Sequence, residues 1–271
     1  MNTLDDPRET APEIPLDRPT LAVFSQSNHE MVVLGLIHKL QCPIVFLTDS
    51  RGSSRGAATE EALRRIDHHA PVIFLDHSEQ EFYQALVQRD ERFFATVADQ
   101  LADRLRALQA RSALTVPVEF HNPIHDAAPA VARRAIQACG LATALYEAPL
   151  IYQSKSDRSY RINRFPPATQ KTLIYSVPEE LANLKTQLYR EVYDDIRAYL
   201  ENLGCRLSRE MFKTEHYHRA LPELEEPGDD RLIRYEERGM VLRKAGAVGE
   251  VISYREHFLP TMTRLLAIGR E

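Results

Sequence analysis

The sequence predicts an open α/β domain with a mostly parallel sheet and helices on both faces. Short apolar runs alternate with segments whose apolar residues have helical spacing. These segments span residues 30–40, 59–67, 79–108 and 127–139, and the third is expected to be broken. Strands that alternate with helices form right-handed βαβ units and a parallel sheet. The runs themselves are nearly continuous, as in strands covered on both faces, and they span residues 20–25, 43–48, 71–76 and 114–118.

The second half of the chain has a different pattern and is expected to add helices and loops. A polar stretch at 154–169 precedes a further strand at 171–177. One long helix is predicted at 178–203, because Pro178 stands in its first turn and Gly204 follows its last. An acidic loop at 224–230, a segment at 234–239 and a terminal helix at 255–268 complete the chain.

We therefore divide the chain into three parts. Residues 1–19 are proline-rich and acidic and are expected to form a flexible N-terminal arm. Residues 20–155 form the α/β core, and residues 156–271 form an extension that packs on the core and walls a pocket. The apolar stripe of the helix at 178–203 fits packing against this core and packing in a subunit interface equally well, so both a monomer and a homo-oligomer are compatible with it.

Composition limits the function classes. The 271 residues include 44% hydrophobic and 27% charged residues with a net charge of -5, which gives no reason to expect nucleic acid as a partner. No apolar run approaches the roughly 20 residues of a membrane helix, and the N-terminus does not look like a signal peptide. The 3 cysteines exclude a complete disulfide framework. We expect a cytoplasmic protein with a small-molecule substrate and no membrane partner.

Polar side chains concentrate where the predicted strands end. They occur at residues 25–30, 48–54 and 119–126. Ligands of open α/β sheets bind outside the carboxyl ends of the strands, so these turns are the predicted site. The glycine patterns of dinucleotide-binding and P-loop proteins are absent from them, which argues against both classes.

Imidazole and carboxylate side chains in two of these turns suggest a metal centre. His29 and Glu30 follow the first strand, while His121, His125 and Asp126 follow the fourth. Two histidines and one carboxylate can hold a catalytic metal, and a spare carboxylate can take the proton of a bound water. For any single histidine, a helix cap or a surface position explains the residue equally well.

Other polar residues are weaker candidates. Asp49 either contacts a ligand or caps its own turn, and Glu147 ends another strand-like run that could point into the cleft. His216 and His218 are expected to lie in a solvated loop.

The layout of residues 20–155 resembles the LmbE-like, or PIG-L-type, deacetylases. Thr48-Asp49-Ser50 resembles their T-D-G turn, and the run from Asn122 to Asp126 (NPIHD) resembles their later H-P-D-H motif. The resemblance implies a Rossmann-like sheet, a zinc ion and hydrolysis of an N-acetyl group. In that family a first H-P-D-D-E motif supplies a histidine ligand, a general-base aspartate and an aspartate ligand.

This chain departs from that first motif. Its aligned residues place Gln26 at the histidine ligand, Asn28 at the general base and His29 at the aspartate ligand, whereas His125 matches the final histidine. An amide cannot accept a proton as a carboxylate does, so Asn28 would not act as the base. The hypothesis assigns His29, His125 and Glu30 to zinc, catalytic roles to Glu30, Asp126 and His121, and substrate contacts to Asn28, Asp49 and Glu147.

Three functions follow for the same cleft. The first is a metal-dependent hydrolase of the N-deacetylase type that acts on an amide bond of a small molecule. The second is a diverged, metal-free member that binds a small molecule or a partner, which Gln26 and Asn28 favour. The third is a transferase or lyase of secondary metabolism in which His125 acts as acid or base and Asp126 or Glu119 orients it.

Overall fold

The computed structural model describes residues 19–166, 172–228 and 231–269. The predicted arm at 1–19 therefore lies outside the described residues, apart from residue 19. Parts of the polar stretch at 154–169 and of the acidic loop at 224–230 also fall outside them.

A seven-stranded sheet forms the centre of the molecule, and it confirms the predicted fold class. Its strand order is β3-β2-β1-β4-β5-β9-β8, with β1 to β5 parallel and β9 antiparallel to both of its neighbours. A separate antiparallel hairpin pairs β6 with β7. The strands are β1 (Thr20–Phe24), β2 (Ile44–Phe46), β3 (Val72–Phe74), β4 (Ser112–Thr115), β5 (Ala144–Glu147), β6 (Ile151–Gln153), β7 (Tyr160–Ile162), β8 (Leu173–Ser176) and β9 (Thr214–Arg219).

The strand order changes direction between β1 and β4. β2 and β3 lie on one side of β1, whereas β4 and β5 lie on the other. Right-handed crossovers place the helices of the two halves on opposite faces of the sheet. The turns that follow β1 and β4 diverge at this point, which leaves a crevice where such sheets bind ligands.

The helices cover the sheet as the apolar spacing predicts, with some changes of boundary. A 3-10 helix (His29–Val33) leads into the first α-helix, and the broken helical pattern at 79–108 forms two helices, as predicted. The α-helices are α1 (Leu34–Leu40), α2 (Ser54–Arg65), α3 (Glu79–Gln88), α4 (Glu91–Leu108), α5 (Pro123–Cys139), α6 (Glu179–Glu191), α7 (Asp194–Asn202), α8 (Arg234–Lys244) and α9 (Leu259–Ala267).

The prediction of a single helix at 178–203 was wrong, because the chain breaks between α6 and α7. The backbone leaves helical geometry at Tyr193, which has a ψ of 52°. The Tyr193 ring is fully buried, and its hydroxyl donates a hydrogen bond of 2.9 Å to Glu30. The free energy gained by burying this ring against the turn after β1 exceeds the free energy lost by interrupting the helix. The break turns α7 toward the crevice.

The segment of His216 and His218 is a strand, not the solvated loop that we predicted. It is β9, which pairs with both β5 and β8 and so extends the central sheet. His218 is 1% exposed. The extension therefore contributes strands to the same sheet as the core.

A buried ion pair joins the added strands to the core. Glu215 of β9 and Lys185 of α6 are both fully buried and form a salt bridge. Glu215 also accepts hydrogen bonds of 2.7 Å from the backbone N–H groups of Gly35 and Leu36. Its carboxylate thus satisfies the amino end of α1, where N–H groups have no partner in the helix.

No helix of the described ranges has both the length and the apolar character needed to cross a membrane.

Candidate functional site

A cavity of about 590 Å³ lies at the carboxyl ends of β1 and β4. This volume is within the usual range for small-molecule sites. Helices α7 and α8 and the segment 248–252 form its outer wall. We define its polar floor as the six residues Gln26, Ser27, Asn28, His29, His121 and His125, all of which line the cavity.

Asn28 shapes the first half of this floor. It has a left-handed backbone conformation with a φ of 76°, which asparagine tolerates better than most residues. Thr59 of α2 accepts a hydrogen bond of 3.0 Å from the Asn28 backbone N–H. The turn after β1 is therefore held tightly before the 3-10 helix begins at His29, whose side chain lines the cavity.

Asp126 and Asn122 shape the second half of the floor. The Asp126 carboxylate accepts hydrogen bonds from the backbone N–H groups of Glu119 (2.8 Å) and Phe120 (3.0 Å). The Asn122 side chain caps α5 by accepting a bond of 2.9 Å from the Ile124 N–H. These bonds fix the turn between β4 and α5, which carries His121 and His125.

The structure brings the two turns into contact through their histidines. A hydrogen bond of 2.9 Å joins His125 Nε2 to Gln26 Oε1, and the rings of His29 and His125 are 4.1 Å apart. Because an amide oxygen only accepts, Nε2 of His125 carries the proton and Nδ1 is left as an acceptor. His121 Nε2 lies 2.5 Å from the hydroxyl of Tyr199 on α7.

Burial keeps the three floor histidines neutral. Desolvation lowers the pKa of His29 to about 3 and that of His121 to about 4, and it holds the pKa of His125 well below its usual range. Nearby positive charge lowers these values further: Arg55 acts on His29 and His125, while Arg234 and Arg238 act on His121. At neutral pH the floor offers uncharged imidazoles.

Several polar atoms of the floor have no hydrogen-bond partner within the described protein. They are Ser27 Oγ, Asn28 Nδ2, His121 Nδ1 and His125 Nδ1, all of them buried. An unsatisfied buried polar group costs about 1–3 kcal/mol, and four in one cavity floor need an explanation. Their residues line the cavity, so a polar ligand could supply the missing partners if these side chains rotate toward it.

The two carboxylates predicted as catalytic groups do not line the cavity. Glu30 is fully buried and accepts hydrogen bonds of 2.9 Å from both Thr59 and Tyr193. Asp126 is engaged with backbone N–H groups of its own turn. Desolvation raises the pKa of each carboxyl to about 7. Their contacts favour a structural role, because neither faces the space where a substrate would lie.

The raised pKa of Glu30 predicts a pH-dependent stability. Its pKa is about 7 in the folded chain against an ordinary 4.5, so its stabilising contribution is complete below about pH 4.5 and is lost as the pH rises to about 7. We expect Glu30→Gln, which cannot ionise, to avoid this loss, worth about 3 kcal/mol at alkaline pH. Urea unfolding of both proteins at about pH 5 and about pH 8 measures it. Equal pH dependence in the two proteins would contradict the assignment.

The structure places Asp49 and Glu147, the predicted substrate contacts, outside the cavity lining. Asp49 is exposed and bound by its neighbour Arg51, with a nitrogen–oxygen distance of 2.9 Å. Glu147 is buried between Arg133 (2.8 Å) and His218 (3.2 Å).

Glu147 belongs to a second group of ligand-type side chains. Its carboxylate, His218 and Glu225 offer ligand atoms within 4.8 Å of one another, the one such His, Cys, Asp and Glu group among the described residues. Arg133 binds Glu147 and Arg231 binds Glu225 at 2.6 Å. Since arginines already neutralise both carboxylates, this group joins the loop after β9 to β5 more readily than it holds a cation.

Sequence reasoning missed three contributors to the cavity. Tyr199 lies on α7, which the break at Tyr193 turns inward, and the acidic pair Asp194-Asp195 was the available signal for a new helix start. Arg55 and Arg238 line the cavity from α2 and α8. Nothing local distinguishes these arginines from those on solvated helix faces.

Comparisons with known proteins identify the fold. No protein-family model matches the chain, and no curated protein sequence matches it. The deacetylase of the teicoplanin biosynthesis pathway, solved as a complex with bog, matches with a TM-score of 0.51 and 11% identity over 75% of this chain and 99% of that one. The A40926 pseudoaglycone deacetylase Dbv21 matches with a TM-score of 0.48 and 11% identity over 75% and 98%.

The conserved protein TT1542 from Thermus thermophilus matches with a TM-score of 0.47 and 18% identity over 77% and 97% of the two chains. At such identities the likeness is one of fold. The predicted resemblance to deacetylases is confirmed at that level.

Proposed function

We propose that this protein binds a small molecule in the cavity and hydrolyses an amide bond of that molecule, as a hydrolase of the deacetylase type. The observation that carries the proposal is the convergence of Gln26, His29 and His125, from two strand ends, on the floor of one cavity. The fold shared with a deacetylase supports the same class of reaction.

The polar floor has the groups to bind and orient an amide. An amide presents one acceptor and one donor. Asn28 Nδ2 is an unpartnered donor for the carbonyl oxygen, and in the chain without a metal His125 Nδ1 is an unpartnered acceptor for the N–H. A donor aimed at the carbonyl oxygen also stabilises the negative charge that develops on it during hydrolysis. The bond to Tyr199 holds the His121 ring at the edge of this floor.

The metal that the resemblance implies fits a donor set different from the one predicted. Glu30 is engaged elsewhere, so the ligands would be His29 and His125. Gln26, the third position that aligns with the family's ligands, is hydrogen-bonded to Nε2 of His125, on the opposite side of that ring from Nδ1, and would have to leave this bond to join them. His125 Nδ1 is unprotonated and unpartnered, and Ser25 lies 3.2 Å from His29 Nδ1, which leaves Nε2 of His29 for a ligand. A zinc ion held there would polarise the carbonyl and lower the pKa of water.

Metal content and product formation test the proposal together. We expect about one metal ion per chain in protein purified without chelator and then supplied with zinc, and release of an amine from N-acyl substrates. His29→Ala and His125→Ala should lose both, whereas His69→Ala, on an exposed loop, should retain both. Thermal unfolding of each variant checks that it is folded. Amine release by the parent that survives His125→Ala would contradict the proposal.

A second candidate function is binding without hydrolysis. The specific observation in its favour is that no carboxylate of the described residues is hydrogen-bonded to a side chain of the polar floor. Asn28 stands where the family has its base, and Gln26 is hydrogen-bonded directly to His125. It predicts tight binding of an amide ligand by protein that takes up no metal and forms no product.

A further inference from the structure

The outer wall of the cavity is apolar and suits a hydrocarbon group. Helix α7 contributes Ile196 and Leu200, and α8 contributes Leu242. Val251 and Ile252, from the segment before α9, close the same side. Burial of apolar surface stabilises a complex by about 25 cal/mol per Å² before the cost of ordering the ligand, so this wall favours a ligand with a sizeable aliphatic part.

The charged side chains that line the cavity differ in whether they have a partner. Three carboxylates line it, and each has a hydrogen-bond or ion-pair partner, although only Glu79 is paired with a fixed cation: Glu79 with Arg55 (3.3 Å), Asp195 with the Ser54 hydroxyl (2.8 Å) and Glu250 with His257 (3.2 Å). Arg238 also lines the cavity, and no ion pair with a carboxylate of the described ranges engages it.

The polar floor next to Arg238 lacks any negative charge. Its members are three imidazoles, two amides and one hydroxyl, and none of these groups carries a negative charge. Arg55 also lines the cavity, but it is paired with Glu79. A floor without an anion, beside an unpaired guanidinium, attracts an anionic group of the ligand. A metal dication held by three neutral ligands would strengthen this preference.

We propose that the substrate is an N-acyl amino acid with an apolar acyl chain, a deepening that rests on the proposed amide hydrolysis. The acyl chain lies against α7, α8 and residues 248–252, the amide lies on the polar floor, and the carboxylate of the amino acid pairs with Arg238. In the reaction the amide C–N bond breaks and one water molecule adds, its oxygen to the carbonyl carbon and its proton to the leaving nitrogen. The products are a fatty carboxylate and a free amino acid.

Binding is measured first, by calorimetry with chelator present, so that neither metal nor turnover is needed. The probes are N-decanoylglycine, its uncharged carboxamide N-decanoylglycinamide, and the short N-acetylglycine. We expect the carboxylate to bind at least about tenfold more tightly than the carboxamide, as one charge-assisted pair gives. N-acetylglycine should bind more weakly than either.

Arg238→Gln should remove the preference for the carboxylate while leaving the binding of the carboxamide unchanged. Arg243→Gln is the matched control, because Arg243 is exposed on the same helix and does not line the cavity. Equal affinity for carboxylate and carboxamide, an Arg238→Gln variant that keeps the preference, or no binding of either decanoyl compound would each overturn the inference. If the carboxylate binds with the expected preference but metal-loaded protein releases no glycine, the proposed hydrolysis fails while the ligand class stands.

Discussion

Glu215→Ala lowers the free energy of unfolding by about 3–5 kcal/mol, the usual cost of removing one member of a buried ion pair. The substitution leaves the Lys185 ammonium fully buried, with the carbonyl oxygen of Val32 at 3.3 Å as its remaining hydrogen-bond partner. It also strips two hydrogen bonds from the amino end of α1, at Gly35 and Leu36. Equilibrium unfolding in urea measures the loss.

Glu180→Ala is the control for this experiment. Glu180 is an exposed glutamate in the first turn of α6, the helix that carries Lys185, and its removal should change stability by no more than about 0.5 kcal/mol. A Glu215→Ala protein as stable as the control would show that the ion pair does not join β9 and α6 to the core. A large loss within a single unfolding transition would show that the extension and the core unfold together.

Restoring the family's residues at two of the three departed positions should raise hydrolysis about 100-fold, the lower end of what a positioned general base contributes. The double variant Gln26→His with Asn28→Asp places an imidazole beside His125 and a carboxylate on the polar floor. Aspartate tolerates the left-handed backbone that position 28 requires. Initial rates of amine release from zinc-loaded protein, compared with the parent, measure the gain.

Two controls accompany the double variant. Gln26→His alone has the extra imidazole without a base and keeps Asn28 in its left-handed conformation, and it should bind zinc more tightly than the parent without the gain in rate. Asn28→Asp alone separates the contribution of the carboxylate. A double variant that binds zinc but is no faster than the parent would show that the cavity does not hold an amide in a reactive position, and would favour binding without hydrolysis.

Local pattern identified the parallel strands and the helices between them. The apolar runs of β1, β2, β3 and β4 are strand-sized and carry no competing helical period, so their state follows from their own residues. The turns after β1 and β4 were located for the same reason, since polar residues directly after a buried strand mark its carboxyl end. His29, His121 and His125 were therefore named from the sequence.

Side-chain direction within these turns could not be read locally. Glu30 follows His29 in the chain, yet its carboxylate turns to Tyr193 and Thr59, about 160 and 30 residues away along the sequence. From the sequence, Gln26 was interpreted as the loss of the family's first histidine ligand. In the structure its side-chain oxygen is hydrogen-bonded to His125. Both outcomes depend on partners that only folding brings near.

The sequence by itself determined the fold class and the end of the sheet at which the site lies, because periodicity and strand ends are properties of neighbouring residues. Tertiary structure decided the break at Tyr193, the pairing of β9 with β5, and the cavity wall that carries Arg238. The physical reason is that burial of a ring, pairing of distant strands and the field of an unpaired guanidinium depend on groups far apart in the chain. Local propensity contributes less free energy than these contacts and is overruled where the two disagree.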